Sequence, residues 1–215
     1  MSYLNWDTKI TDDFSTENSE SLYDQGYVFT RVDKGVLNKT RSLRIDLSHF
    51  EASSENRRIL RKSEHLALTA HDIPYAEYSW EIAKLAKDFY TTLGADFSAN
   101  KVRDILTTKT SNFNKLLEYR DTRDNSVVGY AIVYESEHIL HYSYPFYIEK
   151  KEEPSRGLGM MILAINYAKD LGKKYIYLGS LQRPTDTYKL QFKGMEWFDG
   201  EKWQFDTTPL KDILK

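Results

Sequence analysis

The sequence predicts an α+β fold, a mixed sheet with flanking helices, and three stretches carry that reading. "SVVGYAIVYE" is apolar on both of its faces, as a central strand requires. Further on, a polar loop holding Gly157 and Gly159 leads into an apolar-striped helix and then the strand "KYIYLGS", an order that calls for a parallel crossover. In the first half, "WEIAKLAKDFYTTLG" repeats apolar residues at helical spacing.

Taken in order, residues 1–20 are polar and predict a tail or a loosely docked arm. Residues 21–110 predict an N-terminal part packed on a core formed by residues 111–215, the whole making one compact unit. "SLYDQGYVFTRVD" and "RSLRIDLSHF" suggest strands, the second through alternating Leu43, Ile45 and Leu47. Ser54 is a good N-cap, and Glu55 suits the positive end of the helix that begins there. Arg57, Arg58, Arg61 and Lys62 fall at helical spacing on that helix and form one basic face. Trp80, Ile82, Ala83, Leu85, Ala86 and Phe89 supply the buried stripe of the next helix, which Gly94 ends. A shorter helix follows, with Val102, Ile105 and Leu106 inward.

The strand from Ser126 turns at Glu135-Ser136-Glu137 into "HILHYSYPFYI", so the two predict a hairpin. Pro145 lacks a ladder donor and predicts a bulge or a splayed strand end. The helix from Leu158 to Leu171 is capped by Gly172, and "MEWFDGEKWQF" closes the chain as a hairpin turning at Asp199-Gly200.

Composition narrows the chemistry. The 215 residues contain no cysteine, which excludes disulfides, thiolate metal sites and a cysteine nucleophile. His138 and His141 stand three apart in a predicted strand and so point to opposite faces, and no metal site is expected. No apolar run has the length of a membrane span, and no signal pattern opens the chain, so a soluble cytoplasmic protein is expected. Net charge is −2, yet residues 1–24 are acidic and residues 39–62 basic. The basic stretch reads as a nucleic-acid footprint or as a solvated helix face.

The loop "PSRGLGMM" sits between a strand and a helix, where glycines let a backbone approach a ligand closely. The helix's free N–H groups and positive dipole end suit a phosphate there. Arg156-Gly157-Leu158-Gly159, followed by helix and strand, resembles the acyl-donor loop of the GNAT N-acetyltransferase superfamily. Met161 stands where that family has a small residue. The resemblance covers roughly residues 126–205 and implies a GNAT-like mixed sheet in which two parallel strands part near Pro145 to admit the donor. It also implies donor contacts from Arg156, Gly157, Leu158, Gly159 and Met160, and from Gly179 and Ser180 at the end of the second strand.

A narrower resemblance is to arginyl-tRNA–protein transferases and their bacterial leucyl counterparts. Tyr177, Leu178, Gly179, Tyr188, Lys189, Phe192, Glu196 and Trp203 match that family's C-terminal signature, and "LYDQGYVFTR" and "LRIDLSHFEASSENRRILRK" resemble parts of its N-terminal half. The family's cysteine cluster is absent, and Ser180 replaces an aromatic residue.

Both resemblances imply attack of an amine on an activated acyl carbon. Tyr188 is the candidate general acid for the leaving group, or a packing tyrosine. Lys189 contacts a donor phosphate or is simply solvated. Glu196 deprotonates the acceptor through a water or pairs with a cation. With aminoacyl-tRNA as co-substrate and a protein or peptide as acceptor, Arg57, Arg58, Arg61 and Lys62 hold tRNA phosphates. With acetyl-CoA as the donor instead, they serve solubility or an acidic acceptor. Neither donor is a permanently bound cofactor.

Overall fold

A computed structural model describes residues 4–214. The elements run β1 (Asp7–Ile10), α1 (Thr16–Asp24), β2 (Tyr27–Phe29), β3 (Val36–Lys39), β4 (Ser42–Asp46), α2 (Ser54–Lys62) and β5 (Leu66–Asp72). They continue with α3 (Trp80–Thr92), α4 (Ala99–Thr107), β6 (Lys115–Asp121), β7 (Val127–Glu135), β8 (Ile139–Tyr147) and α5 (Arg156–Asp170). After β9 (Tyr175–Ser180) come a 3-10 helix (Pro184–Gln191), β10 (Met195–Phe198), β11 (Trp203–Gln204) and α6 (Leu210–Ile213).

The chain forms two compact units. The first comprises Met1–Ser53, Ser136–His141 and Ala168–Lys215; the second comprises Ser54–Glu135 and Tyr142–Tyr167. In the first, strands follow the hydrogen-bonded order β11-β10-β4-β9-β8, and a small separate sheet runs β1-β3-β2. In the second the order is β8-β7-β6-β5, so β8 is common to both. The β8–β9 pair is parallel, while β4 pairs antiparallel with β9 and β10, and β6 with β5 and β7. The fold is therefore the mixed α+β sheet with helices, GNAT-like in its parallel β8–β9 pair connected through α5.

Local sequence explains most elements. Ser15 caps α1, its side chain accepting from Asn18 N–H, and the helix ends before Gly26, whose φ of +85° turns the chain into β2. Residues 21–24, expected to open a strand, are thus the end of a helix that begins in the predicted N-terminal arm: the cap and the glycine outweigh strand propensity. α4 buries Val102, Ile105 and Leu106 as expected, but Trp80 is 64% exposed, because it is the first helical residue and lies off the apolar stripe. β7 is buried nearly throughout, with Leu116 and Leu117 of β6 fully buried beside it. Residues 66–72 and 115–121, which carried no element in the sequence reading, pair in register over seven residues.

The parallel ladder is short. Ile139, Leu140 and His141 pair with Tyr175, Ile176 and Tyr177, and both strands run on past it. The ladder ends at His141, four residues before Pro145, so the proline is not the point of parting. β9 carries a second irregularity: Ser42 faces Ser180 and Arg44 faces Tyr177, leaving Leu178 and Gly179 opposite Leu43 alone. Gly179 accommodates this bulge with a φ of +76°, in the left-handed region.

Candidate active site

In the first unit a polar row crosses four strands. His141, Tyr177, Arg44 and Glu196 are direct partners on β8, β9, β4 and β10, and so share one face of the sheet. The Arg44 guanidinium lies between the rings of Tyr175, 3.9 Å away, and Trp203, 4.0 Å away. Its Nε donates to Glu196 Oε2 at 2.6 Å, and its Nη1 donates to Asp24 Oδ1 at 2.8 Å and to Tyr177 Oη at 3.3 Å. Burial works against the charge of Arg44, but Tyr177, Asp24 and Glu196 outweigh it and raise its pKa. Loss of one partner from such a buried pair costs about 3–5 kcal/mol. Glu196, a candidate base in the sequence, is thus placed as counter-ion to Arg44.

Tyr23, from α1, closes the row. Its hydroxyl shares a 2.9 Å hydrogen bond with His141 Nδ1 and accepts from Phe29 N–H at 3.2 Å, and its ring meets Tyr177 edge-on. Burial, and secondarily the charge of Lys189, push the His141 imidazole down to about 3, so it is neutral at physiological pH. Three residues of the C-terminal signature, Tyr177, Glu196 and Trp203, therefore converge on Arg44. Sequence reading missed Arg44 because the alternation of Leu43, Ile45 and Leu47 assigns it to a solvent face; a guanidinium amid so many strand aromatics was the available signal.

The end of β9 holds the other candidates of this unit. Lys189 is buried, and its Nζ donates to Ser180 O at 3.0 Å and lies 3.8 Å from Asp186. Burial lowers its pKa, with Asp186 opposing. A Cβ placed on Gly179 would have Lys189 Nζ, at 4.0 Å, as its nearest neighbour. The glycine at the strand end thus serves the bulge and leaves the backbone open beside an ammonium. Ser180 Oγ accepts from Gln182 Nε2 at 2.9 Å. Asp186 accepts from the N–H groups of Gln182 and Arg183, fixing the start of the 3-10 helix. Tyr188 stands on that helix, 44% exposed.

The second unit contains the basic helix and the predicted glycine loop, of which residues 156–160 form the first turn of α5 rather than a loop before Leu158. Arg156 is buried; its Nε and Nη2 donate to Glu153 Oε2 and its Nη1 to Ile148 O at 2.6 Å. The guanidinium braces the loop and holds the Glu153 carboxyl below its ordinary pKa. Glycine at 157 and 159 answers to packing: a Cβ would stand 2.5 Å from Tyr147 Oη at Gly157 and 2.2 Å from Ser63 Oγ at Gly159. Met160 is buried and Leu158 half-buried, and the N–H groups of Arg156 and Gly159 donate to Glu153 O and Ser155 O, which leaves those of Gly157 and Leu158 as the means of meeting an anion. Arg57, Arg58, Arg61 and Lys62 are all exposed, with Arg58 paired to Glu55 at 2.7 Å. A cavity of about 300 Å³, lined by Lys62, Ser63, Leu66 and residues 152–156, joins the end of the basic helix to the start of the loop. Sequence reading treated these as separate features.

No family model matches the chain. It is similar to an aspartate/glutamate leucyltransferase of Ruegeria pomeroyi (strain ATCC 700808 / DSM 15171 / DSS-3), 29% identical over 174 residues, or 78% of this chain. The match spans 63% of that protein's length. An aspartate/glutamate leucyltransferase of Saccharophagus degradans (strain 2-40 / ATCC 43961 / DSM 17024) is 25% identical over 203 residues, covering 86% of this chain and 83% of its own. Among solved structures, L-PGS from Bacillus licheniformis shares the fold with a TM-score of 0.51 and 14% identity, over 92% of this chain and 68% of that one. The relatives are aminoacyl transferases by name, which supports an acyltransferase here.

Proposed function

We propose that the chain moves an aminoacyl group from aminoacyl-tRNA to the N-terminal amine of a protein or peptide. By the names of its relatives, leucine is the group moved and an N-terminal Asp or Glu the acceptor. The observation that supports this best is the end of β9, where an open glycine backbone lies beside a buried ammonium. Aminoacyl-tRNA is a co-substrate, and the reading calls for no permanent cofactor.

The reaction needs a neutral amine, an ester carbonyl in reach and a proton for the departing ribose oxygen. The amine attacks the ester carbon, the C–N bond forms, and the C–O bond to the ribose breaks. Lys189 beside Gly179 offers positive charge to the oxyanion that develops between those steps. Tyr188 gives its proton to the ribose oxygen, and the proton shed by the amine passes to solvent. On the same reading, the exposed arginines of α2 hold backbone phosphates of the tRNA, near the cavity at the loop.

The test is to incubate the protein with radiolabelled leucyl-tRNA, and separately with labelled acetyl-CoA, in the presence of peptides beginning with Asp, Glu or Ala. Label should enter the Asp and Glu peptides from leucyl-tRNA. Transfer from acetyl-CoA alone would replace this reading with an N-acetyltransferase.

A further inference from the structure

Arg41 immediately precedes β4 and lies at the mouth of the β9 end. Its carbonyl accepts from Leu181 N–H at 2.8 Å, and its Nη1 donates back to Leu181 O at 3.1 Å. The guanidinium also lies 5.9 Å from the Trp6 ring. The side chain is thereby fixed in place, but its charge is left unanswered: among the described residues no carboxylate pairs with it. Its Nε is buried with no hydrogen-bond acceptor, and Nη2, which is not buried, has none among the described residues. Burial, the one influence on its pKa, lowers it.

This is unusual for a partly buried arginine. Every other strongly placed cation of this unit has an acceptor: Arg44 has Glu196 and Asp24, and Lys189 has Ser180 O and Asp186. Asp186, the acid at the 3-10 helix start, is taken up by Gln182 N–H, Arg183 N–H and Lys189. An unsatisfied buried N–H carries a desolvation cost that a ligand's oxygen would remove. The Nε–Nη2 edge of a guanidinium matches the two oxygens of a carboxylate. Leu181, to which Arg41 is clamped, follows Gly179 by two residues, a separation of roughly 7 Å along a strand.

We propose that Arg41 reads the acceptor's first residue, taking its side-chain carboxylate on the two nitrogens that the fold leaves without acceptors. The inference rests on the transfer reading above, since it assumes that the acceptor's amine lies at Gly179. It assigns acceptor choice to a residue outside both the glycine loop and the C-terminal signature. A site built to bond a carboxylate discriminates strongly against the amide that replaces it, because the guanidinium and its buried Nε–H then face a poorer partner.

The experiment measures binding of fluorescent peptides that begin with Asp, Glu, Asn or Gln to the wild type, Arg41→Gln and Arg41→Lys. Wild type should bind the acidic peptides about 10- to 100-fold more tightly than their amides. Arg41→Gln should abolish that preference, and Arg41→Lys should keep only part of it, since a lysine retains charge but loses the fork. Melting temperature and leucyl-tRNA binding should be unchanged in Arg41→Lys. Equal wild-type affinity for Asp and Asn peptides, or an acidic preference that survives Arg41→Gln, overturns the assignment. A wild type that selects acidic peptides through Arg41 yet transfers nothing from aminoacyl-tRNA would sink the transfer reading and leave the carboxylate site standing.

Discussion

Tyr188 and Lys189 are neighbours in sequence but opposite in environment. Lys189 is buried against the Ser180 carbonyl, whereas Tyr188 keeps 44% of its surface exposed. A phenol in that position can meet a substrate without first breaking a packed core. Removing one proton donor from such a reaction costs about 10²–10⁴-fold in rate. Tyr188→Phe should therefore lower kcat by that order while donor affinity, measured by filter binding, stays nearly constant. Full turnover in the variant would make Tyr188 a packing residue. At this scale the sequence was legible where backbone geometry makes the demand. Gly179 stood out at the end of "YIYLGS", and its φ of +76° belongs to the bulge there. Arg41 and Arg44 were not legible. Their importance depends on which partners they have or lack, and two of those partners, Leu181 and Glu196, lie more than a hundred residues away.

The meeting of α2 and α5 makes two predictions at the level of elements. Gly159 lies against Ser63, so a side chain there meets protein before it meets any ligand. Gly159→Val should cost about 1–3 kcal/mol through overpacking, read as a lower melting temperature. Adding Ser63→Gly should return part of that loss; no recovery would mean that the glycine serves something other than this packing. The exposed face of α2 makes the second. Arg57→Glu together with Arg61→Glu should weaken charged-tRNA binding and reduce its salt dependence, by roughly one unit of slope for each phosphate no longer neutralised. Unchanged binding would place the tRNA elsewhere. The helices α2, α3, α4 and α5 were readable from spacing, because it is local, but the starts of α2 and α5 were not: Ser54 is the first residue of α2 rather than its cap, and α5 begins at Arg156 rather than Leu158. Residues 66–72 and 115–121 were not, since neither segment alternates cleanly and each is defined by the other.

Across the whole molecule, the mixed sheet could be anticipated from one strand–helix–strand passage, but its far side could not. β4 lies between β9 and β10, so both of its edges are occupied by strands from the other end of the chain. No local pattern announces such pairing, and the basic helix and glycine loop likewise needed the tertiary fold to bring them to one cavity. The same placement of β4 bears on how the protein is made. During synthesis from the N-terminus, Leu43 and Ile45, fully buried in the finished protein, have no sheet neighbours until residues 175–198 have left the ribosome. Through most of translation this strand is an apolar segment waiting for its neighbours, and pairing of such long range forms slowly. The cell must therefore keep β4 from premature association while the last quarter of the chain is still being built.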